Sequence, residues 1–342
     1  MKLLKSYKKI GLFDVYNGSF IAITEDDSVI INDDKINKLI GKGFIHLKDG
    51  LISRISKQTL EVYNTETDTI DVYENLPVAR SYAKIGEHDI ILRDIVYGTN
   101  SSRLQRSYKD KIVWTYEYPT SNLNGWTEDH IFFGPTPGVF NALDIVTGEF
   151  IWTWDISERH KYEGFRRETQ TGRLSGQIVS YNDLYLMPVD GPPFGGAYPL
   201  YALDQKTGEE VWSVDRPTLV TPVKYNKRLV LPLFLGVYEY EPSTGELLRD
   251  DRGRLSDSEF NKRKGLICRG RGCVSDERLF FYRSKEFEIV IVDYHTLEIL
   301  DTYNLEKSSP ESWQIGPMQV SGGKIYIREW IGQSGTIHIL EY

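Results

Sequence analysis

Short runs of apolar residues recur along the chain, each a few positions behind a polar turn. Tyr16-Asn17-Gly18 precedes Phe20-Ile21-Ala22-Ile23, and Lys48-Asp49-Gly50 precedes Leu51-Ile52. The pattern returns at Gly86-Glu87-His88, Glu128-Asp129-His130, Tyr181-Asn182-Asp183, Tyr225-Asn226-Lys227, Ser275-Asp276-Glu277 and Ser321-Gly322-Gly323. An apolar residue also stands four to six positions before each following run: Val15, Leu47, Ile85, Trp126, Val179, Val223, Val274 and Val320. Asn, Asp and Gly accept the positive φ angles of a tight hairpin whose twist matches its strands. Each copy therefore predicts a β-hairpin, here called the a–b hairpin. No segment of twelve or more residues shows convincing 3.6-residue apolar spacing, so helix is not expected.

Measured between middle turn residues, the eight copies are 32, 38, 42, 53, 44, 50 and 46 residues apart. Such a period matches the ~40–50 residues of one propeller blade. A second turn follows within most copies. Asn141–Trp152 (NALDIVTGEFIW) matches Tyr201–Trp212 (YALDQKTGEEVW), and Tyr240–Glu246 is a weaker copy. Degenerate versions lie at Asn64–Asp68 and Asp293–Leu297. In this c–d hairpin the Asp and Thr side chains can bond local backbone N–H groups while Gly takes the left-handed position. The expected architecture is all-β: one closed propeller domain over residues 1–342, with about eight four-stranded antiparallel blades. Seven blades would follow if the short first repeat, Gly11–Lys42, does not form one.

The pattern Ala-Leu-Asp-x-x-Thr-Gly-Glu-x-x-Trp at 142–152 and 202–212 resembles the repeat of the pyrroloquinoline-quinone-like propellers. That group includes quinoprotein dehydrogenases and an outer-membrane assembly lipoprotein. The resemblance implies a scaffold whose tryptophans pack between blades, and it implies fold without activity. It covers about a quarter of the chain. Its enzymes are exported, bind calcium and usually carry adjacent cysteines, and no Cys-Cys pair occurs here. No quinone or other cofactor is therefore expected.

The last segment, Thr336–Tyr342, aligns with third strands of the other repeats, and no fourth strand follows it. Lys2–Lys8 precedes the first hairpin and is expected to supply that strand, closing the last blade and leaving no free edge.

Composition narrows the context. Aromatics make up 13% of residues and Gly numbers 29, in keeping with strands joined by tight turns. The N-terminal stretch is charged and lacks the apolar core of a secretory signal, and no run reaches the ~20 apolar residues of a membrane span. Two cysteines do not make a disulfide framework. A net charge of -8 argues against general nucleic-acid binding. A soluble, monomeric cytoplasmic protein away from membranes is the expectation.

Because a–b and c–d turns are short, length collects in the b–c and d–a connections on the opposite face. Ser157–Ser175, Asp190–Pro199, Asp250–Gly272 and Glu306–Ile315 are the long ones. Loops gathered on one face of a rigid scaffold are where binding residues concentrate. The candidate binding residues are His160, Tyr162, Arg166, Arg167, Phe194, Tyr198, Arg269, Arg271 and Trp313. Ser157–Ser175 holds five Lys/Arg against three Asp/Glu, and Asp250–Gly272 holds seven against four. Those two loops sum to +5, leaving -13 elsewhere, a field that steers an acidic partner toward that face.

Other constellations are sparse. Cys268 and Cys273 flank Arg269 and Arg271, and sequence leaves open whether the thiols are linked; zinc would need further ligands at fixed spacing. Of six histidines only His160 falls on the long-loop face, while His338 falls in a strand. No Ser-His-Asp signature, phosphate loop or metal-ligand cluster is legible, and no catalytic residue is assigned. The reading is a non-enzymatic intracellular scaffold that binds a protein partner, an acidic one, through the long-loop face. The alternative is a lyase or hydrolase acting on a small or carbohydrate-like substrate at the mouth of the central channel, where a small-molecule ligand would also sit.

Overall fold

The structure, a computed structural model, describes residues 1–26, 28–32, 34–36, 44–48, 50–56, 59–74, 81–84, 89–96, 101–108, 111–119, 122–127, 129–134, 136, 138–159, 161–163, 169–171, 178–189, 199–214, 222–233, 236–251, 272–332 and 334–342. All described regular elements are strands. Six four-stranded antiparallel sheets follow one another along the chain, each a meander of consecutive strands. They span 44–73, 81–119, 122–155, 179–214, 223–250 and 273–304. These sheets are the blades of a β-propeller. Among the described residues no helix is long and apolar enough to cross a membrane.

A seven-stranded sheet joins the two ends of the chain. Its central strand, Lys2–Tyr16, is fifteen residues long and works twice. The first half pairs with Ser334–Glu341, from Lys2 opposite Glu341 to Ile10 opposite Gly335. The second half pairs with Ser19–Thr24, from Ile10 opposite Thr24 to Tyr16 opposite Ser19. The terminal pairing read from the sequence is thus present. The short first repeat does form strands, with Val29–Ile31 and Asp34–Ile36 completing that side of the sheet.

Hairpin chemistry follows the predicted residues. Asn17 and Gly18, Asn226 and Lys227, Asp276 and Glu277, and Gly322 and Gly323 all adopt positive φ, as a two-residue loop of matching twist requires. In the c–d turns one carboxylate caps two amides. Asp144 Oδ1 accepts from Val146 N (2.8 Å) and Thr147 N (2.7 Å), and Asp204 Oδ1 accepts from Lys206 N and Thr207 N. The degenerate copies keep the cap, with the Asn64 carboxamide oxygen accepting from Glu66 N and Thr67 N and the Asp293 carboxylate from His295 N and Thr296 N.

The core is divided among the spaces between sheets. Phe132, Ala142, Trp152 and Trp154 pack on Tyr185, Met187, Tyr201 and Leu203 of the next sheet. Equivalent clusters join 179–214 to 223–250, 223–250 to 273–304, and 273–304 to the C-terminal strands. Ile10, Phe20 and Ala22 pack on Tyr326, Ile337 and Ile339 across the terminal pairing. Middle strands are buried on both faces, as in Leu200–Asp204, whereas the outer strand Phe150–Asp155 alternates exposed and buried.

The motif tryptophans Trp152 and Trp212, and Trp114 at the same register position one sheet earlier, reach out of their own sheets. Trp114, Trp152 and Trp212 lie against Gly148, Gly208 and Gly245 of the following turn, where an added Cβ would meet indole carbons at 2.5, 2.5 and 2.7 Å. Their Nε1–H groups donate to the Ile145, Gln205 and Pro242 carbonyls at 3.3, 3.0 and 3.1 Å. Trp152 and Trp212 are 4% and 8% exposed, at equivalent positions in neighbouring sheets.

Removing residues 2–8 is expected to uncover the Ser334–Glu341 edge and lower the melting temperature by several degrees; an unchanged melting curve would show that the pairing contributes nothing. Trp152→Ala or Trp212→Ala should each cost roughly 3–5 kcal/mol, the range for large aromatics removed from cores, in denaturant titrations. Gly208→Ala should destabilise by about 1–3 kcal/mol, because its left-handed backbone and its contact with the Trp152 indole both resist a side chain.

Candidate functional site

The structure describes one of the nine sequence-selected residues in full. Trp313 is 54% exposed. Tyr162 lies in a short ribbon, Lys161–Glu163 paired with Thr169–Thr171, an element the sequence did not suggest, and it stands opposite Gln170. His160, Arg166, Arg167, Phe194, Tyr198, Arg269 and Arg271 lie outside the described residues, as does Cys268. Cys273 is a free thiol whose Sγ donates to the Met318 carbonyl, and burial pushes its pKa up to about 12. It is a structural thiol.

Trp313 sits at the end of a tightly tied connection between Asn304 and Gln314. Leu305 is buried, and its N–H donates to Phe287 O at 2.7 Å. Ser308 N donates to Glu329 Oε1 at 2.8 Å, and the Ser308 and Thr336 hydroxyls bond at 3.0 Å. Lys307 Nζ donates to Ser312 O at 3.1 Å, and Trp313 N donates to Trp330 O at 3.3 Å. The backbone is fixed while the indole is left in solvent.

Glu329, which anchors that loop, is also the root of a relay that sequence reasoning missed. The carboxylate is fully buried and His338 is 3% exposed. Glu329 Oε2 lies 2.7 Å from His338 Nε2, and the Ser6 hydroxyl lies 2.9 Å from His338 Nδ1. Burial opposes ionisation of Glu329, but hydrogen bonds from Ser308 and His338 outweigh it and hold the carboxyl below its usual pKa. Burial keeps the His338 pKa below the usual imidazole value, against the pull of Glu329. Ser6 and His338 are 332 positions apart, so no local motif joins them. The signal was the expected pairing of Lys2–Lys8 with Thr336–Tyr342: once register is set, Ser6 falls opposite His338.

A second polar cluster lies between the 223–250 and 273–304 sheets, on the short-turn side. Arg249 occupies the position that holds tryptophan in the three preceding sheets. It reaches the equivalent carbonyl, Tyr294 O, at 2.7 Å and His295 O at 3.2 Å. It also pairs with Asp251 and, at 3.0 Å, with Glu239, which Arg228 holds from the other side at 2.9 Å. A cleft of about 520 Å³ opens there, lined by Asn226, Arg228, Glu239, Leu248, Arg249, Tyr294 and His295. Arg228 and Arg249 line it against the single carboxylate of Glu239, and Asp251, outside the lining, pairs with Arg249. Among the described residues no group of three or more His, Cys, Asp or Glu is placed to hold a metal.

No family model matches the chain, and no relative among curated proteins matches it. Solved structures do. BamB from Moraxella catarrhalis superimposes with a TM-score of 0.60 at 14% identity, over 99% of each chain. The WD40 domain of SCAP from fission yeast gives 0.54 at 14% identity, over 100% of this chain and 94% of that one. The dihydro-heme d1 dehydrogenase NirN in complex with DHE gives 0.55 at 10% identity, over 100% of this chain and 73% of that one. The chain resembles the pyrroloquinoline-quinone-like propellers in fold. At these identities the likeness extends to architecture alone.

The depressed pKa of His338 sets a pH dependence. A histidine kept neutral by the fold contributes stability above the unfolded imidazole pKa of about 6.5, and that stability is lost as pH falls. Glu329 has the same sign at lower pH, losing its contribution as pH drops below the ordinary carboxyl range. The melting temperature is therefore expected to fall between pH 7.5 and 5.5. His130, also depressed by burial, adds to the trend, so His338→Gln should flatten the slope without abolishing it. A wild-type melting temperature that is level or rising on acidification across that window would contradict the assignment.

Proposed function

We propose that the chain is an intracellular scaffold that binds an acidic protein partner through the face carrying its b–c and d–a connections. The supporting observation is Trp313. A half-exposed indole on a backbone tied down by Glu329, Thr336 and Trp330 is a binding anchor that loses little entropy on docking. The cationic balance of Ser157–Ser175 and Asp250–Gly272 favours acidic partners arriving on the same face. In this reading the scaffold is a ring of eight blades. The six four-stranded sheets supply six of them. The seven-stranded sheet supplies two that share Lys2–Tyr16, so that the N-terminal strand closes the ring. Two cysteines in 342 residues suit a reducing compartment.

The test compares pull-downs from cell extract by wild type, Trp313→Ala, Arg166→Ala/Arg167→Ala, and Thr147→Ala on the opposite face. Trp313→Ala should weaken recovery of a wild-type-specific partner by tenfold or more, about 1.4 kcal/mol, with an unchanged melting temperature. The double arginine variant should weaken it too, and recovery should fall as salt rises. Equal recovery by Trp313→Ala and wild type would place binding elsewhere, and salt-independent recovery would remove the acidic partner.

A further inference from the structure

The relay Glu329–His338–Ser6 runs from the interior to the surface. Its carboxylate is 0% exposed and its imidazole 3% exposed, while Ser6 is exposed on the half of Lys2–Tyr16 that pairs only with Ser334–Glu341. The order of the hydrogen bonds decides the protonation. An ionised Glu329 accepts from Nε2, so the Nε2 nitrogen of His338 carries the proton and Nδ1 is left with its lone pair. Nδ1 then accepts from the Ser6 hydroxyl at 2.9 Å. A carboxylate that orients an imidazole, whose free nitrogen faces a serine hydroxyl, is the arrangement that activates a nucleophile, recognised by geometry rather than chain order. On the same strand Leu3 and Leu4 are 40% and 43% exposed.

We propose that Ser6 is a nucleophile, activated by His338 and Glu329, that takes the acyl group of small activated esters. Ser6 Oγ adds to the ester carbonyl carbon while its proton passes to His338 Nδ1, and Glu329 stabilises the imidazolium. The tetrahedral intermediate collapses, the ester C–O bond breaks, and the departing alkoxide takes the proton from Nδ1. Water, deprotonated by the same nitrogen, then cleaves acyl-Ser6, releasing the carboxylic acid and restoring the hydroxyl. The sum is ester plus water to acid plus alcohol. The oxyanion forms on the solvent side of that strand, where water solvates it. Turnover is therefore slow and restricted to esters with good leaving groups.

The test is labelling of the folded chain with an alkyl fluorophosphonate, in which Ser6 Oγ displaces fluoride, read by intact mass and peptide mapping. One phosphonyl group per chain on Ser6 is expected, absent from Ser6→Ala, with a rate that rises as the imidazole loses its proton. Glu329→Gln should slow labelling by about 100-fold. Wild-type protein without an adduct on Ser6 overturns the proposal, as does equal labelling of Ser6→Ala. Because burial holds the His338 pKa below the usual imidazole value, the fall in rate is expected on the acid side of that value. A rate that does not fall on acidification down to the acid limit of the fold overturns the role of His338. Hydrolysis of p-nitrophenyl acetate provides a second reading: burst and turnover in wild type exceeding Ser6→Ala support the proposal, and identical rates overturn it.

Discussion

The contact on which the rest of this structure depends is an aromatic ring laid flat over the turn of the neighbouring sheet. Trp114, Trp152 and Trp212 each cover a glycine whose φ lies near +70° and each donate one hydrogen bond to a carbonyl in that turn. The glycine meets two demands at once, since its backbone is left-handed and an added Cβ would enter the indole. The spacing Thr-Gly-Glu-x-x-Trp therefore records contacts between sheets rather than within one. The turn receives the tryptophan of the preceding sheet, and its own tryptophan reaches forward to the next.

Departures from the motif keep the contact and change its chemistry. Arg249 replaces the indole, donates to the equivalent carbonyl and lies 5.2 Å over the Tyr294 ring, while Leu297 takes the left-handed position. A guanidinium fills less space than an indole, and the cleft between those sheets opens where the substitution occurs. One sheet further on the equivalent residue is Asp301, which pairs with the Met1 ammonium at the start of the N-terminal strand. The same position serves as an apolar cover, a cation and an anion in turn, according to what the next sheet presents.

The joining of the two ends organises the remaining chemistry. Pairing Lys2–Tyr16 with Ser334–Glu341 places Tyr7 and Phe20 on one face, stacked at 5.0 Å, and Ser6 beside His338 on the other. The alternation of a strand makes this division: one residue's shift in register would send Ser6 to the apolar side and Tyr7 to the polar side. Glu329 then couples the seam to the loop that displays Trp313, because its two oxygens serve His338 and Ser308 separately.

Much of the fold was legible in the chain. Hairpin positions follow from Asn, Asp and Gly at places that need positive φ, and strands buried on both faces announce themselves as apolar runs such as Ile131–Phe133 and Leu229–Leu231. Even the terminal pairing followed from counting strands, because a last sheet one strand short needs a partner. The ribbon at Lys161–Glu163 was not legible, since three polar residues carry no period. Nor was the exchange of tryptophan for Arg249 readable as a cleft, because the space depends on what the next sheet turns toward it. The relay at Ser6 shows the division most clearly. Sequence placed His338 in a strand and Lys2–Lys8 against the C-terminus, both local inferences from composition and count. Only register, burial and the approach of Glu329 from a neighbouring strand decided that the three side chains meet, because contact between residues hundreds of positions apart is a property of packing.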